Sequence, residues 1–115
     1  MKNSIKKGKE FKKIYESENS FATKNLVMYL SKNSDAEKNR LGISVSHKVG
    51  NSVVRHFLIR RMREIFRQND ERLKSGYDIV VIYRMGSEKK EFFELNKDFL
   101  YLCKKHGILK EEKID

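Results

Sequence analysis

The chain has 115 residues, the size of one compact domain, and its 38% hydrophobic content, including 7 Phe and 5 Tyr, provides for a modest core. Its single cysteine excludes an internal disulfide, three histidines with no C-x-x-C or H-x-x-x-H grouping exclude a structural zinc site, and no apolar run approaches the roughly 18 residues of a membrane span. Net charge is +10, and it is placed unevenly: residues 1 to 70 hold 16 basic and 7 acidic side chains, residues 71 to 115 hold 10 and 9.

The start, Met1 to Lys7, lacks the apolar stretch of a secretion signal, so a cytoplasmic chain is expected. Residues 1–6 are expected to fray. Gly8 to Ser17 predicts a short helix, with Phe11, Ile14 and Tyr15 at i, i+3 and i+4 among surface lysines. Asn25 to Ser31 predicts a strand with Leu26, Met28 and Leu30 on one face and Val27 and Tyr29 on the other. The polar segment Lys32 to Asn39 then reads as the loose loop of a hairpin leading to a second strand, Leu41 to Val49. There Leu41, Ile43, Val45, His47 and Val49 share one face, while Gly42, Ser44, Ser46 and Lys48 share the other. The second face is small and polar, as an open concave surface would be, and in the simplest pairing Tyr29 shares it.

Gly50-Asn51-Ser52 supplies a turn and a cap for a helix over residues 52–70. At about 100° per residue, Val54, Leu58, Met62, Ile65 and Phe66 fall in an arc of roughly 120°, the buried stripe. The adjoining arc of about 140° holds Arg55, His56, Ile59, Arg60, Arg63 and Arg67. Only Glu64 opposes these cations before Asp70. An ordinary solvated face mixes Glu with Lys in i, i+4 pairs, so this uniform sign points to anion binding, for which planar guanidinium groups suit phosphate. Lys74-Ser75-Gly76 breaks the helix, and Tyr77 to Arg84 reads as a central strand covered on both sides. Met85-Gly86-Ser87 turns the chain, with Ser87 as cap of a final helix through about His106 that ends at Gly107. Phe92, Leu95, Phe99, Leu102 and Cys103 mark its core stripe, with Cys103 read as packing. The tail 110–115 is charged and expected to fray.

No catalytic constellation emerges. The histidines lack an acid or nucleophile partner, the serines lie outside a G-x-S-x-G elbow, no acidic pair reads as a general acid and base, and no P-loop is present. With no catalytic or metal-ligating residues assigned, a binding subunit is the reading that remains. A polyanion is the partner that the charge favours. A membrane fits less well, because the basic helix needs its apolar face for the core, and a DNA-binding helix-turn-helix fits poorly, because a strand precedes the basic helix.

The order α-β-β-α-β-α meets a specific sequence. The run Arg40-Leu41-Gly42-Ile43-Ser44-Val45-Ser46-His47-Lys48-Val49-Gly50-Asn51-Ser52-Val53-Val54-Arg55, continuing into Arg60-Arg61-Met62-Arg63-Glu64-Ile65-Phe66-Arg67, closely resembles the signature of the bacterial ribonuclease P protein subunit. Phe11, Tyr29, Tyr77-Asp78-Ile79-Val80-Val81-Ile82 and the closing helix extend the resemblance over nearly the whole chain. One departure stands out: where the family's helix begins R-N-R-x-K-R, this chain has Arg55, His56, Phe57, Leu58, Ile59 and Arg60. Phe57 lies well away from the core stripe, so it is either exposed or covered by a partner.

The resemblance implies a single α/β (α+β) sandwich domain over residues 1–115, with a small mixed sheet and a left-handed β-α-β crossover. It implies a protein that assists a catalytic RNA in removing the 5′ leader from precursor tRNA. The chemistry and the magnesium ions would then belong to the RNA, with no protein-bound cofactor. By the same resemblance Lys48, Arg55, His56, Arg60, Arg63 and Arg67 contact the catalytic RNA, while Phe11, Tyr15, Tyr29, Ser44 and Ser46 line the leader cleft. Ordinary core packing is the competing reading for Phe11 and Tyr15. A ribosome-associated or general RNA-binding protein is the competing reading for the chain.

Overall fold

The computed structural model describes residues 4–5, 8–17 and 19–110. Among them are three helices, α1 (Gly8–Glu16), α2 (Ser52–Asn69) and α3 (Phe92–Lys105). Four strands, β1 (Ser20–Ala22), β2 (Leu26–Lys32), β3 (Arg40–Ser44) and β4 (Tyr77–Tyr83), form one mixed sheet in the order β1-β2-β4-β3. The short edge strand β1 is an element that the sequence pattern did not announce.

β4 takes the centre. It pairs antiparallel with β2, from Leu26 opposite Tyr83 to Lys32 opposite Tyr77, and parallel with β3, from Arg40 opposite Asp78 to Ser44 opposite Ile82. The expected β2–β3 hairpin therefore does not form, because β4 inserts between its two arms. A run apolar on both faces suits the one strand that is covered on both. The parallel β3–β4 pair requires a long crossover, and α2 provides it.

On one face of the sheet, Leu26, Met28, Leu30, Leu41, Ile79, Val81 and Tyr83 meet Leu58, Met62, Ile65 and Phe66 of α2 and Leu95, Phe99, Leu102 and Cys103 of α3 in the main core. Val54, expected in the buried stripe, is only partly covered at its edge. Polar staples join these elements: Asn69 Nδ2 donates to the Ile65 carbonyl and to Asn96 Oδ1, both at 2.7 Å, and Tyr83 Oη donates to the Leu58 carbonyl at 2.9 Å. Burial pushes the Cys103 thiol up to about 12, so it stays a neutral packing group. α3 closes with Gly107 at φ +77, whose N–H reaches the Lys104 carbonyl while that of Ile108 reaches Cys103, both at 3.0 Å.

Two boundaries differ from the sequence reading. β3 ends at Ser44 instead of Val49, so Ser46 and Lys48 lie beyond the strand, and His47 is exposed in a turn instead of sharing the core face. α3 starts at Phe92, with Glu91 in the cap position, and the Ser87 hydroxyl donates back to the Arg84 carbonyl in its own short turn. The ends expected to fray fall largely outside the described residues. Those described are held: Ser4 bridges Leu41, Ile5 is buried with its N–H 2.9 Å from the Leu41 carbonyl, and Lys110 N–H donates to Arg72 at 2.8 Å.

Candidate RNA interface

The second face of the sheet carries the first half of the site. Strand alternation places Tyr29, Val80 and Gly42 side by side on neighbouring strands, flanked by the row Val27, Ile82 and Ser44. α1 lies across this face. Its Ile14 is buried with Ile5 and Val80, and Phe11, Tyr15 and Tyr29 pack half-buried around that small cluster. Tyr15 is the link, with ring centroids 6.2 Å from Phe11 and 5.0 Å from Tyr29, the latter edge-on. Each of the Phe11 and Tyr15 rings thus packs on a core cluster and keeps an accessible side.

Gly42 makes the trough. A Cβ there would lie 2.9 Å from the tip of the Phe11 ring and 3.2 Å from Ile5 Cβ, so only glycine lets helix and sheet approach this closely. Ser44, at the end of β3, hydrogen-bonds Tyr15; burial nonetheless pushes the Tyr15 hydroxyl up, and the nearby Tyr29 adds to the rise. The Tyr15 hydroxyl is therefore neutral at physiological pH. At the other side of α1, Arg40 grips Asp78 with two bonds of 2.8 and 2.7 Å and Glu10 with one of 3.0 Å, pinning the helix to the sheet. These carboxylates raise the Arg40 pKa above its ordinary value, so its charge is consumed internally. Sequence reasoning missed both this clamp and Ile5. A lone isoleucine within a lysine-rich start was the available signal.

The second half of the site is α2. Asn51 caps it, Oδ1 accepting from Val54 N–H at 3.0 Å, and the core stripe fixes its rotation. His56, Arg60 and Arg63 are exposed, and among the described residues they make no hydrogen bond or ion pair. Arg60 and Arg63 form a wall common to two shallow depressions, one shared with His56 and Ile59 and the other with Glu64 and Arg67. Arg55 is half-buried, and its Nε is buried without a partner. Arg67 differs from its neighbours: Glu64 takes its guanidinium in two hydrogen bonds, one of 2.9 Å from Nε, and those bonds hold the Glu64 carboxyl down to about 2. Of the arginines expected on this arc, Arg60 and Arg63 are therefore the free cations.

Lys48 and Ser46 join the two halves. Ser46 Oγ accepts from Lys48 N–H at 3.2 Å, and this exposed turn carries the chain from Ser44 in the trough to the start of α2. Ser46 thus lies in the turn that follows the strand. Among the described residues no group of three or more His, Cys, Asp or Glu side chains is arranged to hold a metal ion. No helix among them is long and apolar enough to cross a membrane.

A polycationic helix is joined by one turn to an aromatic trough, and the family model described as Ribonuclease P matches residues 1–107. The chain belongs to the ribonuclease P protein family. It is 46% identical over 115 residues to the ribonuclease P protein component of Lachnoclostridium phytofermentans, covering 100% of this chain and 98% of that one. It is 42% identical over 107 residues to that of Clostridium botulinum, covering 92% and 96%. Among solved structures, the RNase P protein of Staphylococcus aureus superimposes with a TM-score of 0.84 at 30% identity, covering 94% of this chain and 98% of that chain. That of Thermotoga maritima gives 0.81 at 31%, covering 89% and 96%. As a ribonuclease P protein component the chain is part of a tRNA-processing endoribonuclease and works with an RNA subunit. A general RNA-binding or ribosome-associated role is accordingly not favoured.

Proposed function

We propose that this ribonuclease P component assists a catalytic RNA in cutting the 5′ leader from precursor tRNA, and that it does so by holding two strands at once. The Arg60 and Arg63 face of α2, with Lys48, His56, Arg55 and Arg67 around it, binds phosphates of the RNA subunit. The trough of Phe11, Tyr15, Tyr29 and Ser44, rimmed by Ser46, receives the unpaired leader. The reacting groups and the magnesium ions are assigned to the RNA. The observation that carries the reading is the continuous aromatic run from Phe11 through Tyr15 to Tyr29, one face of which stays accessible beside the polar end of β3. Base faces stack on such rings whatever their sequence, and phosphates follow the neighbouring cations.

The test uses holoenzyme assembled from RNA subunit and saturating protein. Tyr15→Ala and Tyr29→Ala should each weaken precursor tRNA binding by about 1 kcal/mol or more, with mature tRNA little affected. Equal losses for both RNAs, or none in a folded triple variant that adds Phe11→Ala, would remove the trough from the mechanism.

A further inference from the structure

Phe57 borders the cationic arc of α2, and neither the core nor the leader trough uses it. It is 42% exposed, and Val53, one turn before it, is 74% exposed. Helical spacing sets Arg60 and Arg61 one turn after it on the same side. Arg61 is not free: its Nη1 donates to the Lys90 carbonyl at 2.7 Å, at the approach to α3, and its guanidinium carbon lies 4.4 Å from the Phe57 ring centroid. A cation–π contact with a guanidinium anchored to the neighbouring element holds the ring in place before any partner arrives.

We infer that Phe57, braced by Arg61, is a stacking platform for one unpaired nucleobase of the RNA subunit, placed at the edge of the phosphate-binding arc. The inference deepens the proposal that α2 faces that RNA and rests on it. Charge and size both select this occupant. The ring borders the arc that holds the free cations Arg60 and Arg63, which gather a polyanion and repel a basic partner. One half-exposed ring with a neighbouring valine is far smaller than the roughly 1,200 Å² or more that a stable protein interface buries, yet it matches the face of a single base. A base delivered there by a backbone already held at Arg60 needs no further ordering of the protein.

Stacking and phosphate binding differ in how salt affects them, and that difference supplies the test. Neutralising phosphates releases counterions and steepens the dependence of affinity on salt, whereas stacking on an uncharged ring does not. Binding of the RNA subunit is measured over a range of monovalent salt for the wild type, Phe57→Ala, Phe57→Tyr and the double variant Arg60→Ala with Arg63→Ala. Phe57→Ala should weaken binding about fivefold or more with the salt slope unchanged, and Phe57→Tyr should retain wild-type affinity. The double variant should lose affinity with a shallower slope. The chain contains no tryptophan, so Phe57→Trp adds a single, selectively excited tryptophan whose emission a stacked base should quench. Wild-type affinity in Phe57→Ala, a loss accompanied by a shallower slope, or an unquenched tryptophan would each overturn the platform while leaving the arc intact. Wild-type affinity and slope in the folded double variant would instead overturn the placement of α2 on RNA, and the platform with it.

Discussion

Gly42 stands where β3, Phe11 and Ile5 converge, and the missing side chain determines how deep the aromatic trough is. In Gly42→Ala the new methyl meets the tip of the Phe11 ring at 2.9 Å and Ile5 Cβ at 3.2 Å. Ile5 is buried and fixed to Leu41, so the half-buried ring is the partner that gives way, toward the space assigned to the leader. The stability cost should be modest, about 1 kcal/mol, because a ring tip moves and not a backbone. The functional cost should be larger in proportion: the ratio of precursor to mature tRNA affinity should fall. A urea midpoint and a pair of binding curves check both halves, and an unaltered affinity ratio would show that the ring is displaced elsewhere. His106 and Cys103 illustrate a different residue-scale lesson, since both are chemically capable groups that packing has neutralised. Cys103 is fully buried and His106 half-buried.

At the scale of elements, α2 depends on a cap that the sequence displayed openly. Asn51→Ala removes the acceptor for Val54 N–H and should cost about 1 kcal/mol, read as a lower thermal midpoint with the RNA-facing residues untouched. Loss of less than about 0.3 kcal/mol would mean that water replaces the cap. α2 was legible because the 3.6-residue period separates its apolar stripe from the arginines within a single helix, so no distant partner is needed to read it. The sheet was not legible in the same way. Alternation from Leu41 to Val49 continues past the real strand, because its neighbour gives out: β4 ends at Tyr83, one residue beyond the Ser44–Ile82 pair, and Ser46 to Val49 have no ladder to join. Likewise the loop between β2 and β3 reads as a hairpin until β4, from far downstream, proves to be the only strand apolar enough for the centre. The aromatic trough was legible as three rings projecting from two elements. The clamp of Arg40 on Glu10 and Asp78 was not, since its three members come from three separate elements.

Across the whole molecule, the two faces of the sheet divide the labour: α2 and α3 supply the stable core on one, and α1 covers the other lightly. His106, at the end of α3, ties the helix to the centre of β2 by donating Nε2–H to the Met28 carbonyl at 2.9 Å, with Phe21 edge-on to its ring at 4.8 Å. Burial holds its pKa below 6.5, against the smaller opposing effect of that hydrogen bond. The folded chain therefore prefers the neutral ring. As pH falls through 6.5 toward the folded value, the unfolded chain takes up the proton first and stability declines. Urea midpoints should drop between about pH 7 and 5.5, and the drop should be smaller in His106→Asn; identical pH profiles would sink the assignment. The central place of β4 also has a consequence for synthesis. Every rung of the sheet beyond the β1–β2 pair needs a residue from 77 to 83, so as the chain leaves the ribosome β2 and β3 wait for a strand still being made. During that interval the arginines of α2 are already outside while the scaffold that aims them does not exist. The nascent chain is a loose polycation first and an organised RNA-binding surface only once its last third has emerged.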